Sequence, residues 1–185
     1  MFSVKRDVFR SAEVCYARPM TNPLNKLLLP LLLLASGFVF ADEFPVADAV
    51  IIDKSDRELY LLSNGKIFRT FKIALGIRPE GDKKKEGDFK TPEGRYSLDS
   101  RNPNSDYFLS IHVSYPSPKD RREATAAGVS PGGAIMIHGQ PNEPSRSETY
   151  YKTQDWTNGC IAVSNSDMID IWLMTGSNTP IEIRP

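Results

Sequence analysis

The sequence predicts a mainly β fold, a sandwich or partial barrel carrying two short helices. Three observations carry that expectation. Short apolar runs recur between clusters of Gly, Pro, Asn and Ser. Helical character is confined to residues 119–127 and 168–173. Strands do not alternate with helices in the rhythm a βαβ arrangement needs. The 185 residues contain no internal repeat, and 40% hydrophobic with 25% charged residues is the composition of a globular chain.

The elements follow in order. Residues 49–53, Ala-Val-Ile-Ile-Asp, read as a first strand, and the polar stretch 54–58 as a turn. Residues 59–62 and 67–75 flank Asn64-Gly65. Both residues of that pair tolerate positive φ, so the arrangement predicts a tight hairpin. Residues 76–94 are a polar loop ending in Lys90-Thr91-Pro92-Glu93-Gly94, where Pro92 fixes φ and Gly94 frees it. Within it, Lys83-Lys84-Lys85 lies between Asp82 and Glu86 and is expected as a solvated loop. Residues 96–98 and 107–113 are further strands, the latter ended by Pro116 and Pro118. A helix over 119–127 stops at Gly128. Residues 134–137 form a compact strand that ends at His138-Gly139. Residues 140–154 read as a polar loop, a candidate lid over a site. Residues 161–163 are apolar. Ser164 to Asp167 supply N-cap candidates for a helix with a stripe of Met168, Ile169, Ile171, Trp172 and Leu173. Residues 180–183 close the chain as a strand.

Residues 1–41 are expected to be a leader and signal peptide. Lys26 precedes an apolar run from Leu27 to Ala41, and cleavage before Asp42 is plausible on the residues at its end. The run is shorter than the roughly 20 residues a membrane-spanning helix needs. The membrane is then met only transiently, with an uncleaved anchor as the alternative. Met20 is a second candidate start. The formal net charge is zero and no basic stripe or aromatic RNA-binding motif appears, which excludes nucleic acid as an expected partner. Of the two cysteines, Cys15 would leave with the leader, so residues 42–185 would keep Cys160 as one unpaired thiol. An exported chain retains such a thiol either buried as a small hydrophobe or used as a nucleophile.

The chain has two histidines, His112 and His138. His112 lies mid-strand between Ile111 and Val113 and reads first as structural, second as a cleft residue. His138 ends an apolar strand, where a side chain can face a cleft. A cysteine nucleophile needs a base or a positive neighbour, and His138 can supply either, including as an imidazolium–thiolate pair. The imidazole needs an acceptor on its other nitrogen, and the Gly139 carbonyl is the nearest source. Gly159 would let the chain approach a substrate carbonyl, with the Gly159 and Cys160 amides aimed at a developing oxyanion. Trp156, Thr157, Asn158 and Tyr151 are candidate substrate contacts, Trp156 reading first as core and second as a stacking wall.

Ile135-Met136-Ile137-His138-Gly139 followed by Trp156-Thr157-Asn158-Gly159-Cys160-Ile161-Ala162-Val163 resembles the signature of the L,D-transpeptidase catalytic domain, also called the YkuD domain. The resemblance extends to Lys90-Thr91-Pro92-Glu93-Gly94-Arg95-Tyr96, Ser114-Tyr115-Pro116 and the closing residues 179–185, and so from about Ala47 onward. It implies a mainly β catalytic domain over 42–185, in the periplasm or cell envelope, acting on peptidoglycan stem tetrapeptides. Cys160 would attack the carbonyl before a terminal D-Ala, with His138 as general base and acid. The resulting thioester would pass to an amine or protein acceptor, or to water, with no metal or organic cofactor. Hydrolysis by the same fold and a catalytically silent peptidoglycan-binding module are the alternatives. Sortase-type and papain-type sites are disfavoured: the first needs an arginine near the cysteine strand, and the second places Cys before His. Asn158 stands where many family members have histidine, and Ala162 where many have arginine. Arg121, Arg122 and Arg146 are the candidates to fill that second role.

Overall fold

The structure is a computed structural model that describes residues 44–185. The expected leader, its cleavage point, Met20 and Cys15 lie outside the described residues. Eight strands form one sheet: β1 (Ala49–Asp53), β2 (Glu58–Ser63), β3 (Lys66–Lys72), β4 (Gly94–Ser105), β5 (Phe108–Val113), β6 (Met136–His138), β7 (Ile161–Ala162) and β8 (Thr179–Arg184). Their spatial order is β3-β2-β1-β8-β4-β5-β6-β7. The neighbours β1 and β8, and β6 and β7, run parallel; the other pairs are antiparallel.

The mainly β fold is the one expected, and its strands form one continuous hydrogen-bonded sheet. The continuity comes from β8. That strand inserts between β1 and β4 and joins strands that sequence order leaves apart. The sheet is not closed into a barrel. Ala74, just past the edge strand β3, makes a two-way backbone bridge to Ala162 in the opposite edge strand β7, both bonds 2.8 Å. The sheet therefore curls until the segment after β3 meets β7 and the loop before it, where Gly76 bridges Thr157.

Alternation places the core. Val50 and Ile52, Leu59 and Leu61, and Ile181 and Ile183 are buried on three adjacent strands, with their sequence neighbours partly exposed. At the β2–β3 turn Asn64 and Gly65 take φ of 52° and 72°, the conformation expected of that pair. β4 runs well beyond the expected 96–98, through Pro103. Its far half pairs with β5 on one side only, with register shifts, so a proline without an N–H is tolerated there.

Three helices are present among the described residues, not two: α1 (Pro118–Ala126), α2 (Glu148–Thr153) and α3 (Asn165–Met174). In α1, the Ser117 side chain accepts from the Asp120 N–H, and the Asp120 carboxylate accepts from the Ser117 N–H. Ser164 caps α3, which turns Met168, Ile171 and Met174 into the core and packs against β5. The extra helix, α2, lies inside the expected loop 140–154. Ser147 accepts from the Tyr150 N–H, and Glu148 pairs with Lys152 one turn on. Six residues with one buried side chain, Tyr151, are too few to show a hydrophobic period. None of the described helices is long and apolar enough to cross a membrane.

Candidate active site

The parallel pairing of β6 with β7 sets Ile137 beside Ile161 and His138 beside Ala162. Cys160, just before β7, thus falls beside Met136 at the start of β6, two residues before His138, and strand residues two apart share a face. Cys160 and His138 both line one cleft of about 330 Å³, whose wall also includes Tyr107, Met136, Trp156 and Asn158.

His138 is buried, 4% exposed. Its Nδ1 is 2.7 Å from the Gly139 carbonyl, which can only accept. The proton therefore sits on Nδ1, and Nε2 carries a free lone pair. Tyr107 packs on the ring at 4.6 Å between centroids, and Trp156 meets it nearly edge-on at 5.6 Å. Gly139 in turn donates to the Tyr107 and Leu109 carbonyls. A Cβ there would lie 2.6 Å from Asn165 Oδ1 and 3.0 Å from Phe108 Cβ, so the position admits no side chain without rearrangement.

The cysteine loop is held from inside. Asp155 accepts from the Leu75 N–H at 2.8 Å and pairs with Arg57 at 3.0 Å. Thr157 exchanges backbone bonds with Leu75 and Ile77. Its hydroxyl donates to the Cys160 carbonyl at 2.7 Å and accepts from the Gly159 N–H at 3.1 Å. Gly159 has φ of +129°, and a Cβ on it would sit 2.6 Å from the Lys90 carbonyl. The expected role of Gly159 changes accordingly: the close approach it permits is to the protein's own backbone, and its N–H is spent on Thr157. Among the described residues, the Cys160 N–H makes no loop or turn hydrogen bond. Of the two amides expected at an oxyanion, it is the one without such a bond.

The thiol donates to the Ala134 carbonyl at 3.5 Å. Burial pushes the Cys160 thiol up from its ordinary value, opposed by the Met136 N–H and the Lys83 ammonium. Burial also pushes His138 down to about 4, against the pull of the Gly139 carbonyl. Both directions favour the uncharged pair over the imidazolium–thiolate form.

Of the other expected contacts, Trp156 and Asn158 face the cleft. Thr157 reaches its wall, but the hydroxyl is engaged in the loop. Tyr151 does not line it. That ring is buried behind Trp156 at 5.0 Å, its hydroxyl accepts from the Ser145 N–H, and its carbonyl accepts from the Trp156 indole N–H. His112 bonds Asp99 at 2.7 Å, away from the cleft. Arg121, Arg122 and Arg146 do not line it either. Ala162 is buried against Ala74. Sequence reasoning missed Tyr107, Asp155 and Arg57. Their partners lie 31, 80 and 98 residues away along the chain, and no local spacing announces them. No group of three or more His, Cys, Asp or Glu among the described residues could hold a metal ion.

The L,D-transpeptidase catalytic domain (YkuD) family matches residues 47–183. This chain belongs to that family. It is 41% identical over 99 residues to YafK of Escherichia coli K12, which its name assigns provisionally to the L,D-transpeptidases; the match covers 51% of this chain and 38% of YafK. Among solved structures it is similar to the helical cell shape determining protein Pgp2 of Campylobacter jejuni, with 32% identity and a TM-score of 0.56, over 74% of this chain and 46% of that one. Bd1075 of Bdellovibrio bacteriovorus shares the fold at 24% identity and a TM-score of 0.52, over 76% of this chain and 51% of that one. The chain thus spans about half or less of the length of these relatives.

Proposed function

We propose that this protein is an exported cysteine acyltransferase of the bacterial envelope that performs L,D-transpeptidation on peptidoglycan stem tetrapeptides. The observation that carries the reading is the joint placement of Cys160 and an Nδ1-protonated His138 on one cleft, in a chain of this family. The likeness to a protein named for helical cell shape supports a setting in the cell wall.

In this reading the thiol turns from the Ala134 carbonyl toward the donor peptide. Sγ attacks the carbonyl carbon before the terminal D-Ala as Nε2 of His138 takes the thiol proton. The carbonyl oxygen becomes an oxyanion, met by the Cys160 N–H. Collapse breaks the C–N bond, and the departing amine of D-Ala takes the proton back from Nε2. A thioester on Cys160 remains. An acceptor amine attacks it, loses its proton to Nε2, and the restored thiol leaves with that proton. Water in place of the amine gives hydrolysis from the same acyl-enzyme. The Gly139 carbonyl stabilises the imidazolium that forms in each half-reaction.

The test is mass spectrometry of disaccharide-tetrapeptides incubated with the full chain, beside Cys160→Ala and His138→Gln. Wild type is expected to release D-Ala and form a cross-linked or amine-exchanged product, with no release by Cys160→Ala. A product with water alone would replace transfer by hydrolysis. No release, together with a thiol that resists alkylation, would sink the enzyme reading in favour of a binding module. The pH profile is a second check. His138 serves as base only when neutral, so the acid limb of D-Ala release is expected near pH 4, below the limb an ordinary histidine would give. A limb near 6.5 would contradict this.

A further inference from the structure

The run Lys83-Lys84-Lys85 does not behave as one solvated patch. Lys84 and Lys85 are exposed, but Lys83 is buried, 5% exposed. Its Nζ donates to Asp88 Oδ1 at 2.8 Å and to the Lys85 carbonyl at 3.1 Å. Asp88 also accepts from the Lys84, Lys85 and Lys90 N–H groups. Burial pushes its carboxyl up, but Lys83 and these three amides outweigh that and hold it at about 2. The loop from 83 to 90 is therefore wound around one buried ion pair.

A buried ion pair is weak evidence for stability, because desolvation offsets the attraction. Its use has to be sought in what it positions. Two arms leave this loop, and both end at the cysteine. The Lys90 carbonyl packs against Gly159, immediately before Cys160. Glu86 packs against Gly132 and bonds Ser130 through its N–H and its carboxylate. That segment continues into Ala134, whose carbonyl accepts from the thiol. We infer that Lys83 is a positioning residue for Cys160: through the Asp88 clip it braces both flanks of the thiol. The Lys83 charge also works against the burial that raises the thiol. The other charges around Lys83 are Lys84, Lys85, Asp120 and Glu123, which share a cavity of about 240 Å³ between the loop and α1. On the cleft side the thiol shares its walls with His138 and Asp106.

This inference rests on Cys160 being the nucleophile, and the experiment separates the two. The rate of Cys160 alkylation by iodoacetamide is measured against pH on the full chain. Lys83→Met is expected to slow it about tenfold at pH 7 and to move the profile upward. Lys83→Arg should recover most of the rate. Lys54 is the control, buried to 3% and bonded to Gly81, Thr91 and Glu93 in the same loop. Lys54→Met should lower Tm and leave the profile in place. A folded Lys83→Met with an unmoved profile, or an equal shift in Lys54→Met, overturns the inference while leaving the acyl-enzyme reading intact. A wild-type thiol that is slow and indifferent to His138→Gln sinks both. Should Lys83→Met not fold, Lys83→Gln keeps a donor for the Lys85 carbonyl and carries the same expectation.

Discussion

The two ends of the sheet are built differently. Around β1, β2 and β8 the strands run five to six residues, pair along their length and alternate buried with partly exposed positions. At the other end β6 has three residues and β7 two. There the backbone is held by side chains and by close packing: Asp155 on Leu75, Thr157 on its own loop, Gly159 on Lys90. The first region owes its shape to apolar burial, which is strong and indifferent to detail. The second owes its shape to directed contacts, each modest in energy and exacting in distance. Damage to the first should cost stability, and damage to the second should cost reactivity first.

Three substitutions can break or sharpen this contrast. Leu59 is fully buried in β2. Leu59→Ala is expected to lose about 3 kcal/mol in a denaturant titration, while the folded fraction keeps its Cys160 alkylation rate. A large fall in that rate would mean the two regions are mechanically one. Gly159→Ala comes next, at about 2 kcal/mol for the strained φ and the contact with Lys90. In the proposed reaction, D-Ala release should fall far more, about a hundredfold, because the Cys160 loop must shift. Full activity with an alanine there would undo the bracing role of Lys90. The smallest stability effect is expected for Thr157→Val, about 1 kcal/mol for the lost hydroxyl bonds. The informative result is the split: kcat should drop by about tenfold or more with KM little changed, since the hydroxyl faces the loop. A rise in KM alone would return Thr157 to substrate contact.

The same contrast explains how much was legible in the sequence. The ladder region is written locally. Alternation in 49–53 and 59–62 and the Asn64-Gly65 pair suffice to place β1, β2 and the turn. The order of the sheet is not local, since nothing in residues 179–184 says that they lie between β1 and β4. At the site, Cys160, His138 and the Gly139 carbonyl stood out because their chemistry is rare in this composition. The loop that supports them did not, because Asp155 and Thr157 are ordinary residues whose partners are distant in sequence. Tyr151 misled for a related reason: a tyrosine in a polar stretch looks available until a short helix buries it. Lys83 hid inside a run of three lysines, two of which are solvated as such runs normally are.

The bridge between Ala74 and Ala162 has a consequence for how a peptide can be read. An unpaired strand edge is a template on which an extended chain can add itself through main-chain bonds. β7, the strand that follows the cysteine, is two residues long, with β6 on one side and the Ala74 bridge on the other. Its backbone offers no docking edge. In the proposed reaction, a peptide at Cys160 would therefore not be recognised as an added strand there. It has to be told apart by the side chains of the cleft, and selectivity can change by substitution at a few wall positions while the sheet stays as it is.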